Sequence, residues 1–278
     1  MLLTAILSLG TAFVNLPTLT PETLHDKNAV LEVAREGVFY YPIPDEWRAD
    51  IEKALLFCYR FPQDSELKNF SDGHFGGYHN RENYQVESFY VEKKEWNKVL
   101  PFSIVRLANH MDFLAKTILK NVLEFADFPK PFWHKGTGNV SNCGGQNHFS
   151  FNHYCSEVQA TGMNAHRDFG YVSILFFDQN GPEVFYKNEW KEVAPKNGYF
   201  VIFLGRALET LVNDDQVVRG VWHRVPQVAK ERGSVLFTCD NDRDSSVYQL
   251  NRKKESLEVI HSNYQEYLKE CFAEVHVE

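Results

Sequence analysis

The chain has 278 residues, 44% of them apolar, with 22 Phe, 13 Tyr and 5 Trp, a composition that supports a large core and excludes a disordered chain. Acidic side chains outnumber basic ones 37 to 29, for a net charge of −8 without any long basic run, so nucleic acid is not an expected partner. Five scattered cysteines with no CxxC pair argue against a disulfide framework or a thiolate zinc site, and predict a reducing, cytoplasmic setting.

Residues Met1 to Val14 are apolar and almost uncharged, too short to span a bilayer, and lack a basic start and a clean cleavage site. They read as a buried first strand stopped by Pro17, with a secretory signal as the alternative; no membrane partner is expected. Asn28–Glu36 has helical spacing and stops at Gly37, and Val38 to Tyr41 reads as a short strand ending at Pro42. Trp47, Ile51, Leu55 and Cys58 recur every three or four residues, predicting a helix from Asp45 to Phe61 that Pro62 ends. Residues 63–100 are polar and glycine-containing, and read as a loop, either a lid over a site or a solvated connection. From Phe102 to Phe125, Ile104, Leu107, Met111, Leu114, Ile118, Val122 and Phe125 form one stripe, the pattern of a long scaffold helix.

The period changes after residue 140. From His148 onward the apolar runs are short, rich in Val, Phe and Tyr, and punctuated by Gly, Asn and Asp, which suggests a β-sandwich or barrel. Tyr186 to Trp190 reads as a hairpin, and Leu257 to Phe272 as a last helix. One domain is expected, with a helical support over 1–140, a β-rich core over 141–250 and a C-terminal helix over 251–278.

Three pairs in the β-rich half carry chemistry. In His166-Arg167-Asp168, residues two apart on a strand share a face, so an imidazole and a carboxylate reach one point while Arg167 points away. A second histidine, His223, sits in another strand-like run, Val221 to Val225. Two His and one carboxylate make the facial triad of non-haem Fe(II) oxygenases, which leaves coordination positions open for O₂ and a cosubstrate; the plainer alternative is a core histidine. Arg232 and Ser234 share a face across Gly233, which leaves the opposite side open, and together offer a fork suited to a carboxylate. Asn152 and Tyr154 also face one way, an amide and a phenol able to hold the other carboxylate of a small diacid. His148 shares their face without being needed as a ligand, and His153 points away.

The order NxY, HxD, HRV, RxS resembles the isopenicillin N synthase-like family of Fe(II) dioxygenases, which includes deacetoxycephalosporin C synthase, plant 2-oxoglutarate hydroxylases and 1-aminocyclopropane-1-carboxylate oxidase. Leu208 to Asp214 and Asn188 to Val193 are similar to family stretches in the core, and Glu36 to Tyr40, Gly77-Tyr78 and Glu87 to Phe89 to its N-terminal region. The resemblance implies a double-stranded β-helix, a cupin-like jelly roll, mostly β with supporting helices. It implies His166, Asp168 and His223 as iron ligands, and Arg232, Ser234, Tyr154 and Asn152 around 2-oxoglutarate. The implied reaction couples decarboxylation of 2-oxoglutarate to succinate with oxidation of a small-molecule substrate by O₂, with ascorbate as an auxiliary reductant. A monomer is expected.

One departure matters: Cys155 follows the NxY motif where plant members usually carry Pro. Asp168 keeps the carboxylate, which argues against the related halogenases, where a small residue stands in its place. RxS alone leaves open an Fe(II) oxidase that needs no 2-oxoglutarate, and a non-catalytic jelly roll stands as a third reading. Phe75, Tyr78, Arg81, Met163, Arg206 and Thr238 are the candidates for the substrate pocket.

Overall fold

The computed structural model describes residues 13–142, 144–179 and 181–275. Asp26 starts helix α1 (Lys27–Glu36) by accepting from the Ala29 amide at 2.8 Å, and Gly37, at φ 73°, ends it in the left-handed conformation a side chain disfavours. Strand β1 (Val38–Pro42) follows at once, then α2 (Arg48–Arg60), α3 (Ser65–Asn69), β2 (Gly77–Asn80), β3 (Val86–Glu92) and α4 (Trp96–Val99). Helix α5 (Phe102–Phe125) has the length its stripe predicts, and Ile104 to Val122 of that stripe are buried. After α6 (Trp133–Gly136) come β4 (His148–Tyr154), β5 (Met163–His166), β6 (Val172–Phe177), β7 (Glu183–Tyr186), β8 (Glu189–Glu192) and β9 (Tyr199–Leu204). The chain closes with α7 (Arg206–Val212), β10 (His223–Val225), β11 (Arg232–Cys239), β12 (Val247–Asn251), β13 (Ser256–His261) and α8 (Tyr264–Val275).

Seven strands form a major antiparallel sheet in the order β1-β9-β6-β11-β4-β3-β2, and four form a minor sheet, β5-β10-β7-β8. The strands are mostly antiparallel sheet with helices to one side, the jelly-roll arrangement. Helices α2 and α5 cover the back of the major sheet, and a bidentate ion pair from Arg106 to buried Asp50, at 2.7 and 2.8 Å, joins them. Alternation sorts the two central strands. Phe149 and Phe151 of β4, with Val235 and Phe237 of β11, are fully buried with α2, α4 and α5 in one core cluster, while His148, Ser150, Asn152 and Tyr154, with Arg232, Ser234, Leu236 and Thr238, line the cavity in front. Gly233 faces α2, and a Cβ there would sit 2.9 Å from that of Cys58, so the side expected to be open is filled by a helix at close approach.

Three expectations are corrected. Residues 63–100 are not a loop: β2 and β3 extend the major sheet beyond β4, and β1 adds its far edge, so the support over 1–140 is not purely helical. The strand period of β3 is hidden because both its faces are covered, burying Ser88 and Glu92 along with Val86, Phe89 and Val91. Leu257 to His261 is strand β13 paired with β12, and helix begins only at Tyr264, so Val259 and Ile260 stand exposed rather than on a helical core face. The run before His223 is irregular from Val217 to Trp222 and becomes strand only at His223. Of the first fourteen residues, Phe13 and Val14 are described: Val14 is buried and bonds through its amide to Glu192. The signal-or-strand reading otherwise lies outside the described residues.

Candidate active site

A cavity of about 410 Å³ lies between the two sheets. His166, the last residue of β5, pairs in register with His223, the first of β10, so their rings meet with centroids 4.2 Å apart. Asp168 is in the turn beyond β5, not on the strand. Its backbone is fixed by the start of α7, where Arg206 N–H donates to the Asp168 carbonyl at 2.7 Å and Gly205 lies too close to the Gly170 carbonyl for a side chain. Arg167 turns to Glu209 at 2.9 Å and stacks over Trp222, tying the turn to the segment that leads into His223.

The triad is prepared for a cation. Each histidine has Nδ1 against a backbone carbonyl, His166 at 2.8 Å from Asn164 and His223 at 3.3 Å from Val221. Donation from Nδ1 leaves both Nε2 lone pairs facing Asp168 Oδ1, at 3.8 and 3.6 Å. Burial, with the neighbouring His223, pushes His166 down to about 4, so its imidazole is neutral. Asp168 Oδ2 is buried without a hydrogen-bond partner, which in a dry site calls for a cation. Phe203 stacks on His223 at 4.5 Å and holds its ring. The donor set, two imidazoles and a carboxylate, fits a first-row divalent metal, Fe(II) included.

The second part of the site lies on β4 and β11. Register places Arg232 opposite Tyr154 and Ser234 opposite Asn152. The Arg232 guanidinium is buried over the Tyr154 ring, 4.4 Å from its centroid. The Asn152 amide is committed within the protein: its oxygen accepts from Ser88 Oγ at 2.7 Å, and its nitrogen donates to Ser234 Oγ at 3.4 Å. It positions Ser234 instead of offering itself to a ligand.

Of the six substrate-pocket candidates, Phe75, Arg81, Met163 and Thr238 line the cavity. Tyr78 and Arg206 do not. The two-residue period of β2 turns Tyr78 away from the cavity, to Phe61 and to Glu87, whose carboxylate accepts its hydroxyl proton at 2.5 Å. Arg206 reaches outward to Glu270 at 2.6 Å, fastening α8. The strand alternation puts His148 where expected, but its surroundings were not legible. It lies 3.2 Å from Asp240 and 3.8 Å from Glu92; burial pulls its pKa down, and the two carboxylates outweigh that and carry it up to about 9. Also missed were Tyr84 and Tyr90, and Leu268 and Phe272 of α8, which join the cavity wall from distant segments. Gln146 and Ser150 belong to the alternating row that already holds Asn152, and that row could have found them. Gln146 Oε1, His148 Nε2 and Ser150 Oγ are buried without hydrogen-bond partners, a polar strip available to a ligand.

Residues 145–241, which hold the triad, β4 and β11, match the sequence model of the 2OG-Fe(II) oxygenase superfamily. Protein DMR6-LIKE OXYGENASE 1 of Arabidopsis thaliana is 32% identical over 131 residues, which cover 44% of this chain and 37% of that protein. Among solved structures, JOX2 in complex with 2OG, Fe and JA superposes with a TM-score of 0.75 at 19% identity, covering 94% of this chain and 86% of that one. The dioxygenase for auxin oxidation in rice gives 0.73 at 18% identity, with 94% and 96% covered. These structures share the fold. The superfamily match falls on the segment that carries both halves of the site, and over residues 145–241 the chain is similar to the 2OG-Fe(II) oxygenase superfamily.

Proposed function

We propose that this protein is a non-haem Fe(II)- and 2-oxoglutarate-dependent dioxygenase acting on a small molecule. The observation that carries this reading is one cavity lined by both a metal triad with a buried, orphaned carboxylate oxygen and a buried arginine–serine fork. His166, Asp168 and His223 would hold Fe(II), and three protein ligands leave its other positions open. Arg232 and Ser234 would hold the far carboxylate of 2-oxoglutarate by charge-assisted bonds, with Tyr154 beneath the guanidinium and Asn152 orienting the hydroxyl. Fe(II) with 2-oxoglutarate and O₂ supplies an oxidant for C–H bonds, at the cost of decarboxylation to succinate. The chain's own part is to place the substrate and keep water out, and the aromatic wall of Phe75, Tyr84, Tyr90, Phe169 and Phe272 serves both ends.

That wall supports a flat or largely apolar substrate. Arg81, exposed at the cavity rim, packs over Tyr84 and has no ion pair among the described residues, which supports an acidic group on that substrate. The structures solved with JA, or named for auxin oxidation, support a small organic molecule. The test is a panel of small aromatic and aliphatic acids incubated with enzyme, Fe(II) and 2-oxoglutarate in air. Succinate and CO₂ should appear one for one with oxidised product. Product formation undiminished without 2-oxoglutarate would refute the reading.

A further inference from the structure

Glu87, His153 and Cys155 form a second group of metal-ligating side chains, away from the cavity. Glu87 and His153 are register partners on β3 and β4, and Cys155 follows two residues later at the end of β4. They lie on the back of the major sheet, so Tyr154, between His153 and Cys155, points the other way, to Arg232. Their donor atoms already converge. His153 Nδ1 is 3.4 Å from Glu87 Oε2 and 3.5 Å from Cys155 Sγ, and Sγ is 4.0 Å from that same oxygen. Bonds of about 2.0–2.3 Å in a tetrahedral zinc site put N, O and S donors about 3.3–3.6 Å apart, close to these separations.

The surroundings are arranged as an outer shell. Glu231 holds His153 Nε2 at 2.5 Å, the carboxylate–histidine pairing that fixes the tautomer and aims the other nitrogen at a metal. Tyr78 at 2.5 Å and Asn80 at 3.4 Å donate to Glu87 Oε1, which leaves Oε2 directed at His153 and Cys155. With Nε2–H given to Glu231, the Nδ1 lone pair faces a carboxylate oxygen. Two acceptors at that distance repel unless a proton or a cation lies between them. We propose that this cluster binds a borderline divalent cation of the zinc type through Glu87 Oε2, His153 Nδ1 and Cys155 Sγ, with water completing the set. One thiolate, one imidazole and one carboxylate select such a metal over magnesium or calcium. The site pins the end of β4 beside Arg232, and needs no part of the iron triad.

The test uses Co²⁺ as the probe on the metal-stripped full chain, because a thiolate ligand gives Co²⁺ a near-ultraviolet charge-transfer band that His and carboxylate ligands do not. The band should appear in the wild-type chain and persist in His166→Ala, where the triad is broken. It should vanish in Cys155→Ser, which removes the thiol at a partly exposed position, and weaken in Glu87→Gln, which keeps the hydrogen bonds of Tyr78 and Asn80. Zinc retained after equilibrium dialysis should fall from two ions per chain to one in either His166→Ala or Cys155→Ser. A band that survives Cys155→Ser, or a wild-type chain that retains one zinc lost in His166→Ala and unaffected by Cys155→Ser, would overturn the proposal.

Discussion

His148 illustrates how a single buried residue couples the cavity to pH. Its imidazole sits between Asp240 and Glu92, which carry it from the usual 6.5 up to about 9 against the pull of burial, and Glu92 moves the opposite way, to about 2, because His148 and Lys94 outweigh its own burial. A group whose pKa is raised by folding stabilises the fold fully below its unfolded value and loses that contribution as pH rises through the folded one. The metal-free chain should therefore lose stability between about pH 6.5 and 9 on the alkaline side. On the acid side Glu92 reverses the sign, and its contribution falls away as pH drops from 4.5 towards 2. In His148→Gln the alkaline limb should flatten, as read from thermal melting at a series of pH values; an unchanged limb would assign it to another group. At the other part of the site, Arg232→Ala should weaken 2-oxoglutarate binding on the order of 100-fold, the worth of a buried charge-assisted pair, while Fe(II) binding persists. Isothermal titration with each ligand separates the two effects. The residues of both pairs were legible because alternation on a strand is a strict geometric rule. Asp168 was legible only in identity: it reaches His166 through a turn buttressed by α7, and no local pattern encodes that contact.

At the scale of elements, the helices behind the major sheet set how firmly the site is held. Leu107 of α5 is wholly buried in the core shared with α2 and the sheet, so Leu107→Ala should cost about 2–5 kcal/mol in urea unfolding. Gly233→Ala should cost about 1–3 kcal/mol by overpacking, since its Cβ would meet Cys58 and Leu55 of α2. Helix α8 supplies Leu268 and Phe272 to the cavity and is fastened by Arg206 to Glu270. Arg206→Ala should thus raise KM for the substrate and speed proteolysis of the C-terminal segment, with little change in Fe(II) binding. Elements covered on one face, such as α1 and α5, were legible from the stripe they bury. Strand β3 was not, because polar side chains fill its buried cavity face, and β13 was misread because Leu257, Val259 and Ile260 imitate a helical stripe while two of them face solvent.

Across the whole molecule, the β-rich half carries every proposed ligand of the iron and of 2-oxoglutarate, yet it does not make the major sheet alone. Strands β1, β2 and β3 come from the first part of the chain, and α2 and α5 cover the back of the sheet. That interdependence supports one catalytic unit, and residues 141–250 expressed alone should fail to give the cooperative unfolding expected of the full chain. The central claim is that one cavity binds Fe(II) on His166, Asp168 and His223 and 2-oxoglutarate against Arg232 and Ser234. The most direct measurement is anaerobic addition of Fe(II) and then 2-oxoglutarate to the metal-free protein, watched for the weak visible band of the iron chelate. The band should form only when both are present, and be absent in His223→Ala and in Arg232→Ala at 2-oxoglutarate concentrations that saturate the wild type. A band of full intensity in His223→Ala, or none in the wild-type chain, would contradict the account.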